Sequence, residues 1–552
     1  MNNSRKIITY SHYATLAILI ISTLILNYCP PTSRDALTHH LVVPKMWIEH
    51  GYIYEIPHLN FSYYPMNLNL LYLIPLLFEN DIVPKYIHFL FALGTAWLIL
   101  SYLKKRTTQT LSLLGALIFL STPVIVKLST TVYVDLGLVF FSWGSIFFLF
   151  KWANSSQSPR YLIFSAIFCG LGLGTKYNGI IVLFLLTLLV AIIHVRVPDQ
   201  TKIRIGYAIC YPIVYSIISI AVFSPWMIKN YCLTANPIYP LYNHHFNSNS
   251  EQNTNSNMSM KPWMQRKLIY KESFVETASI PLRIFFQGED DNPRLFDGKL
   301  NPILFFSPFL LLIGRRNTDA QLKLEQLILF SFCILFVLYA SFMVDMRIRY
   351  IAPIIPPLVV LTIFGLQDIL KRIDGISRKR NRVFSRWMIC AVVCFFLSMN
   401  VRYVVGLFQS VNPVPFILGE TTREEYLTEK LAEYPAIQFI NQIENEGIKV
   451  LALFVGKRLY YFDRPVESGI HAFAGMVATG NASENNIALQ LQSKKFTHCI
   501  IGVHHFGSWA NQIFDPEQQK FVSQWLKNNC VLLFSKNGYA VFELVPKNEN
   551  SP

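Results

Sequence analysis

Long apolar stretches separated by short polar connectors run along most of this chain. A membrane-crossing helix needs roughly 20 apolar residues. Windows of that kind fall near 13–29, 84–103, 110–127, 132–150, 161–175, 178–195, 206–224, 301–314, 322–342, 350–369 and 388–406. The pattern therefore predicts a mainly α, polytopic membrane protein of about eleven transmembrane helices. The stretch 67–78 is apolar but short and framed by Pro65 and Pro75, which places it as an interfacial helix. Beyond about residue 411 the pattern changes. Helix signals at "EYPAIQFINQIENEG" and "DPEQQKFVSQWLKNN" alternate with strand-like "IKVLALFV", "THCIIGV", "VLLF" and "YAVFEL". In the second of these helices Asp515 is a good N-cap and Pro516 a good first residue, and Asn537-Gly538 is the turn of a hairpin. A small α/β domain is expected there.

Charge sets the orientation. The bases cluster as Arg5-Lys6, Lys104-Lys105-Arg106, Lys151 with Arg160, Arg196 with Lys202 and Arg204, Arg315-Arg316, and Lys371 to Arg386. All fall in every second connector, as the positive-inside rule requires of cytoplasmic loops. The formal charge of +15 is thus topological, and nucleic acid is not an expected partner. The amino terminus is expected in the cytoplasm and the tail outside the plasma (inner) membrane, with the lipid bilayer itself as a partner. No small-residue cleavage site follows the first apolar segment, so it is read as a retained anchor. The expected organisation is a membrane domain over 1–410 with large outer loops at 29–84 and 225–300, then an extracytoplasmic α/β domain over 411–552. Asn247 to Met260, "NSNSEQNTNSNMSM", is polar and low in complexity, and is read as a mobile piece of the second loop.

Composition agrees: 52% of residues are hydrophobic, 15% are charged, and mean hydropathy is +0.35. The nine cysteines show no metal-ligand spacing, and most lie in expected spans. Cys499 and Cys530 lie in the tail, where their distance is not fixed by sequence.

Candidate chemistry collects at the expected outer face. "SRDALTHHLVVPKMWIEHG" puts Asp35 and His39 at helical i, i+4 spacing, and a carboxylate there can act as general base. The alternative is an interfacial acid paired with Arg34 or Lys45. In "STTVYVDLGLVFF" Asp135 enters a span, where an acid must face protein or water; snorkelling to the interface is the alternative. "GLGLGTKYNG" lacks Walker spacing and reads as a tight turn between helices, with glycines for close packing and Lys176 as a cation or a plain anchor. "SPWMIKNYCLTANPIYPL" carries Lys229 and Asn230. "DMRIRYIAPIIPP" carries Arg347 and Arg349, whose guanidiniums suit phosphate, the alternative being a pairing with Asp345.

Taken in order, "RDALTHHLVVPKMWIEHG", "YYPMNLNLLYLIP", "LSTTVYVDLGL", "GLGLGTKYNG", "SPWMIKNYCLTANPIYPL" and "RIRYIAPIIPPL" resemble the GT-C superfamily of polyprenyl-phosphate-dependent glycosyltransferases, in the branch of the family 39 protein mannosyltransferases, the aminoarabinose transferase and the RgtA-type transferases. The resemblance covers about residues 10 to 410. It implies a polyprenyl-phosphate-sugar donor and transfer with inversion to an extracytoplasmic acceptor, whether glycan, lipid or protein. By the same resemblance Asp35 and Asp135 are the catalytic acids. Lys176, Lys229, Arg347 and Arg349 are donor-phosphate contacts. His39, His40, Tyr64, Asn230 and Tyr350 are substrate-binding residues. His39 stands where the family pattern has tyrosine, and Ala36 follows Asp35 where it has a second acid. No cofactor is expected and no metal ligand is assigned. Asp35, Asp135, Lys176 and Arg349 are expected to line one outward cavity. Two other readings share the topology: a polymerase or ligase of lipid-linked oligosaccharides, and a non-enzymatic transporter or flippase of a lipid-linked sugar. A transporter calls for an internal repeat that the sequence does not show.

Overall fold

A computed structural model of the chain describes residues 2–155, 157–196, 205–247, 261–314, 319–343, 345–445, 447–478 and 484–545. Residues 248–260, which hold nearly all of the polar stretch expected to be mobile, lie outside them. The chain divides into two compact units, one of residues 1–28 and 63–413, the other of 29–62 and 414–552. The expected assignment of 29–84 to the membrane domain therefore changes. Residues 29–62 group with the tail, because their backbone is bonded into it.

The first unit is helical: α1 Asn2–Leu26, α2 Asn67–Leu76, α3 Val83–Lys104, α4 Gln109–Ser121, α5 Pro123–Ser129, α6 Asp135–Ala153, α7 Pro159–Leu173, α8 Gly179–Arg196, α9 Ile205–Thr234, α10 Ile303–Gly314, α11 Ala320–Met343, α12 Ile355–Asp374 and α13 Lys379–Val411. Each of the eleven apolar windows is helical. Among the described residues, eight helices are long and apolar enough to cross a membrane, or nine if α4 and α5, bent by 64°, count as one span. The shortfall from eleven lies in α7 at 15 residues and α10 at 12. The protein is a multi-pass membrane protein. Pro123 explains the α4–α5 break: Thr122 before it is extended, as a pre-proline residue prefers, and the proline starts the next helix.

Small residues bring the helices close. A side chain at Gly170 of α7 would meet Ser219 O of α9 at 2.5 Å, and one at Gly174 would meet Asn67 Nδ2 at 2.2 Å.

The second unit is built on a five-stranded sheet in the order β2-β1-β3-β5-β4: β1 Val450–Leu453, β2 Val466–Ser468, β3 His498–Gly502, β4 Cys530–Lys536 and β5 Tyr539–Leu544. β1 is parallel to β2 and β3, whereas β5 is antiparallel to β3 and β4. Asn537 and Gly538 both take positive φ, 52° and 79°, as the two-residue hairpin requires. Asp515 and Gln518 form a capping box on the Pro516–Asn529 helix. Leu451, Cys499, Phe473 and Trp525 fill the core on one side of the sheet. Segment 29–62 joins through its backbone: Leu459 N donates to Leu37 O at 2.9 Å, and Tyr461 OH donates to Pro31 O at 2.7 Å. Lys45 Nζ donates to Phe462 O at 2.7 Å and Tyr460 O at 3.1 Å. All nine cysteines are free thiols, Cys499 and Cys530 included.

Candidate functional site

Asp135 is the first residue of α6, where a carboxylate complements the helix dipole. It is 1% exposed, and its Oδ1 accepts from Lys176 Nζ at 2.7 Å. Its Oδ2 is buried with no hydrogen-bond partner among the described residues. Burying an ion pair is costly unless every lone pair and proton is used. Here they are not: the ammonium has three donors, of which Asp135 takes one.

The cation-bearing turns converge on one ring. Lys176 Nζ stands 5.1 Å from the centroid of Tyr350, and the Arg349 guanidinium stands 5.4 Å from it and 5.1 Å from that of Tyr133. Arg349 is 8% exposed and sits on a 3₁₀ turn, Ile348–Ile354, that leads into α12. Asp135, Lys176, Arg349 and Tyr350 thus form one cluster of facing charges and aromatic faces.

Two amides and a histidine hold these turns. Leu136 N donates to His88 Nε2 at 3.0 Å, while His88 Nδ1 is 2.9 Å from Leu128 O and 3.0 Å from Thr131 O. Carbonyls only accept, so the proton sits on Nδ1 and the ring pins the start of α6. Asn67 Nδ2 donates to Leu171 O at 3.2 Å, and its Oδ1 accepts from Trp226 Nε1 at 2.8 Å. Asn230 is fully buried. Its Nδ2 donates to Tyr63 O at 2.8 Å and to Tyr177 OH at 3.1 Å, and Tyr177 OH donates to Tyr239 O at 2.9 Å. Burial raises the Tyr64 and Tyr177 hydroxyls above the usual phenol range, with Tyr350 adding to the shift at Tyr64 and Tyr64 adding to that at Tyr177.

The remaining sequence candidates are placed as follows. Arg347 pairs with Asp297 at 3.4 Å and Asp345 at 3.9 Å, so the pairing with Asp345 named as the alternative is present. Lys229 Nζ stands 5.1 Å from the Trp226 ring. Tyr64 packs edge-on against Tyr177 at 5.2 Å. Asp35, His39 and His40 belong to the second unit. Asp35 is half-buried and precedes a π-turn, Ala36–His40. The two histidine rings lie 4.0 Å apart, and His39 stacks on Phe61 at 4.3 Å. Lys45, a named alternative partner of Asp35, bridges to Asp463 at 3.4 Å and Glu49 at 3.9 Å. Among the described residues no group of three or more His, Cys, Asp or Glu is placed to hold a metal ion.

Sequence reasoning passed over His88, Asn67, Tyr133 and Tyr177. His88 had a usable signal, because an ionisable residue inside a span marks a polar role. Tyr133 and Tyr177 had none beyond standing beside Asp135 and Lys176.

With this geometry in hand, the chain was compared with solved structures. It aligns with the crystal structure of ArnT from Cupriavidus metallidurans bound to undecaprenyl phosphate at a TM-score of 0.56 and 10% identity, covering 97% of this chain and 98% of that one. This chain has the GT-C fold. The apo state of the same ArnT matches at 0.56 and 10% identity, over 96% of this GT-C chain and 97% of that one. The archaeal oligosaccharyltransferase AglB from Archaeoglobus fulgidus, in complex with an inhibitory peptide and a dolichol-phosphate, matches at 0.49 and 11% identity, over 98% of this chain and 75% of that one. A family model described as dolichyl-phosphate-mannose-protein mannosyltransferase matches residues 65–228, the stretch of this GT-C chain that carries both Asp135 and Lys176. No curated protein matches the chain.

Proposed function

We propose that the protein is an integral-membrane glycosyltransferase that moves a sugar from a polyprenyl-phosphate donor to an acceptor outside the plasma membrane, with inversion. The observation that carries this reading is the pair of buried Asp135 and half-buried Lys176, which among the described residues leaves two ammonium donors and one carboxylate oxygen without a partner beside Arg349 and Tyr350. Support also comes from the match of residues 65–228 to the mannosyltransferase family and from the fold shared with ArnT, a protein solved with undecaprenyl phosphate bound.

In this reading the acceptor oxygen attacks the anomeric carbon as the carbon–oxygen bond to the donor phosphate breaks. Lys176 and Arg349 neutralise the charge that collects on the departing phosphate, a contribution that prearranged cations make largest at the transition state. Asp135 holds Lys176 in place and is a positioning residue for it. Asp35, in the second unit, is kept as the candidate general base on the chemistry of its carboxylate alone. Asn230, Tyr177 and Asn67 fix the turns, and the Oδ1 of Asn230, without a hydrogen bond among the described residues, is left for the substrate-binding role expected of it. Arg347 pairs with Asp297 and Asp345, and the chemistry uses no cofactor.

Mass spectrometry of envelope glycans and lipids from a deletion strain tests the activity: one sugar modification should disappear and return with the wild-type chain. An unchanged profile would overturn the reading. Asp35→Asn should lower transfer by about 10²- to 10⁴-fold, the range for losing a general base. Full retained transfer would remove Asp35 from the mechanism while leaving the phosphate cluster standing.

A further inference from the structure

A second polar cavity, of about 600 Å³, opens beside α13 in the membrane unit. Part of its wall is apolar, formed by Phe285, Phe286, Met399 and Leu407. Set into them are Lys299 and Arg402, both exposed, whose side chains have no hydrogen bond or ion pair among the described residues. The other charges here are one base shared by two acids. Lys127 bridges Asp291 at 3.2 Å and Asp290 at 3.6 Å, and Tyr403 OH donates to Asp290 Oδ2 at 2.5 Å. The cavity therefore holds three bases against two acids, a net positive charge, and Lys299 and Arg402 are the bases in it that make no bond among the described residues.

Its depth in the membrane follows from α13. The 33 residues of this helix span about 50 Å, against roughly 30 Å of hydrocarbon. From Trp387 to Val401 it carries no charge, and Arg402 is the first charge after that stretch. Arg402 thus stands at headgroup depth. Below it the helix faces lipid: only 6% of its most apolar window is buried, and Trp387, Phe395 and Val401 are 72%, 63% and 59% exposed. Exposed cations above an apolar wall match one kind of molecule, an anionic headgroup whose tails run down the helix.

We infer that this cavity binds the phosphate headgroup of an anionic membrane lipid, with Lys299 and Arg402 on the phosphate and Phe286 against the first carbons of the tail. The inference needs only the membrane fold and stands whether or not sugar is transferred. It also differs from the Asp135–Lys176 cluster in kind, since among the described residues no carboxylate holds Lys299 or Arg402.

The test is native mass spectrometry of the full chain in detergent, titrated with phosphatidylglycerol and, separately, with phosphatidylcholine. Phosphatidylglycerol should bind preferentially. Lys299→Gln and Arg402→Gln should each weaken it about fivefold, and the double variant about 30-fold, from the usual worth of a base at an anionic headgroup. Both side chains are free of bonds, so thermal unfolding of the variants should match the wild type. Phe286→Ala should weaken phosphatidylglycerol but leave any binding of glycerol phosphate unchanged. Equal binding of the two lipids, unaltered affinity in the double variant, or displacement by equimolar inorganic phosphate would each overturn the inference.

Discussion

The two ends of α6 carry the same chemical object, a buried carboxylate paired with a base, built in opposite ways. Beyond its last turn, Glu325 is 3% exposed and fully used. Its Oε1 accepts from Arg106 Nη2 at 2.8 Å and Asn154 Nδ2 at 2.9 Å, and its Oε2 accepts from Tyr102 OH at 2.5 Å and Arg106 Nε at 2.9 Å. At the first turn Asp135 is as deeply buried but has one bonded oxygen and one idle one. The saturated pair joins α3, α6 and α11 and has nothing left to bind with. The unsaturated pair keeps donors and an acceptor in reserve. Completeness of hydrogen bonding therefore separates a structural lock from a binding site where charge and burial do not.

This contrast can be broken from either side. Glu325→Ala should cost about 3–5 kcal/mol, because it strands Arg106 in a buried setting. The check is a fall in the unfolding midpoint in detergent, with transfer per folded molecule unchanged. Lys176→Gln should do the reverse. It can still donate to Asp135 but carries no charge, so transfer should drop about 10²- to 10³-fold with a small change in midpoint. If the two variants lost stability and activity alike, the distinction between lock and site would fail. Tyr177→Phe should cost about 1 kcal/mol, the worth of its bond to Tyr239 O, and is read as a modest midpoint shift.

The smallest effect concerns pH. Burial raises the Asp345 carboxyl above its usual range against the pull of Arg347 and Arg266. A raised acid destabilises the fold when charged, so this cost is present above the folded pKa and disappears as pH falls through it. As pH falls toward the usual carboxylate range, stability should therefore decline less steeply than in Asp345→Asn, whose asparagine gains nothing on acidification. Identical slopes would show that Asp345 does not report burial.

Much of the fold was legible because membrane helices and hairpins are local. Apolar runs marked the long helices of the first unit, though not the short ones between residues 243 and 283, and Asn537-Gly538 and Asp515-Pro516 marked their turn and cap. The span count was less legible, since α7 and α10 are as apolar as their neighbours but shorter. Of the site, the motifs singled out Asp135, Lys176, Arg349 and Tyr350. Their supports, His88 and Asn67, act across long sequence separations and left only faint traces. The edge strand β2, three residues long, had too little pattern to be seen.

The sequence alone determined that this is a polytopic chain with an α/β tail, because burial in lipid and in a sheet imposes periodicities of hydrophobicity that neighbours in sequence must obey. Only the tertiary structure decided which charges are spent. Arg347 and Lys176 look alike in sequence, yet Arg347 faces two carboxylates, Asp297 and Asp345, and Lys176 faces one, Asp135. That difference depends on acids 50 and 41 positions away, Asp297 and Asp135, brought near by packing. The grouping of residues 29–62 with the tail was likewise decided by hydrogen bonds more than 400 positions apart, such as that of Tyr461 to Pro31. No local pattern encodes such contacts.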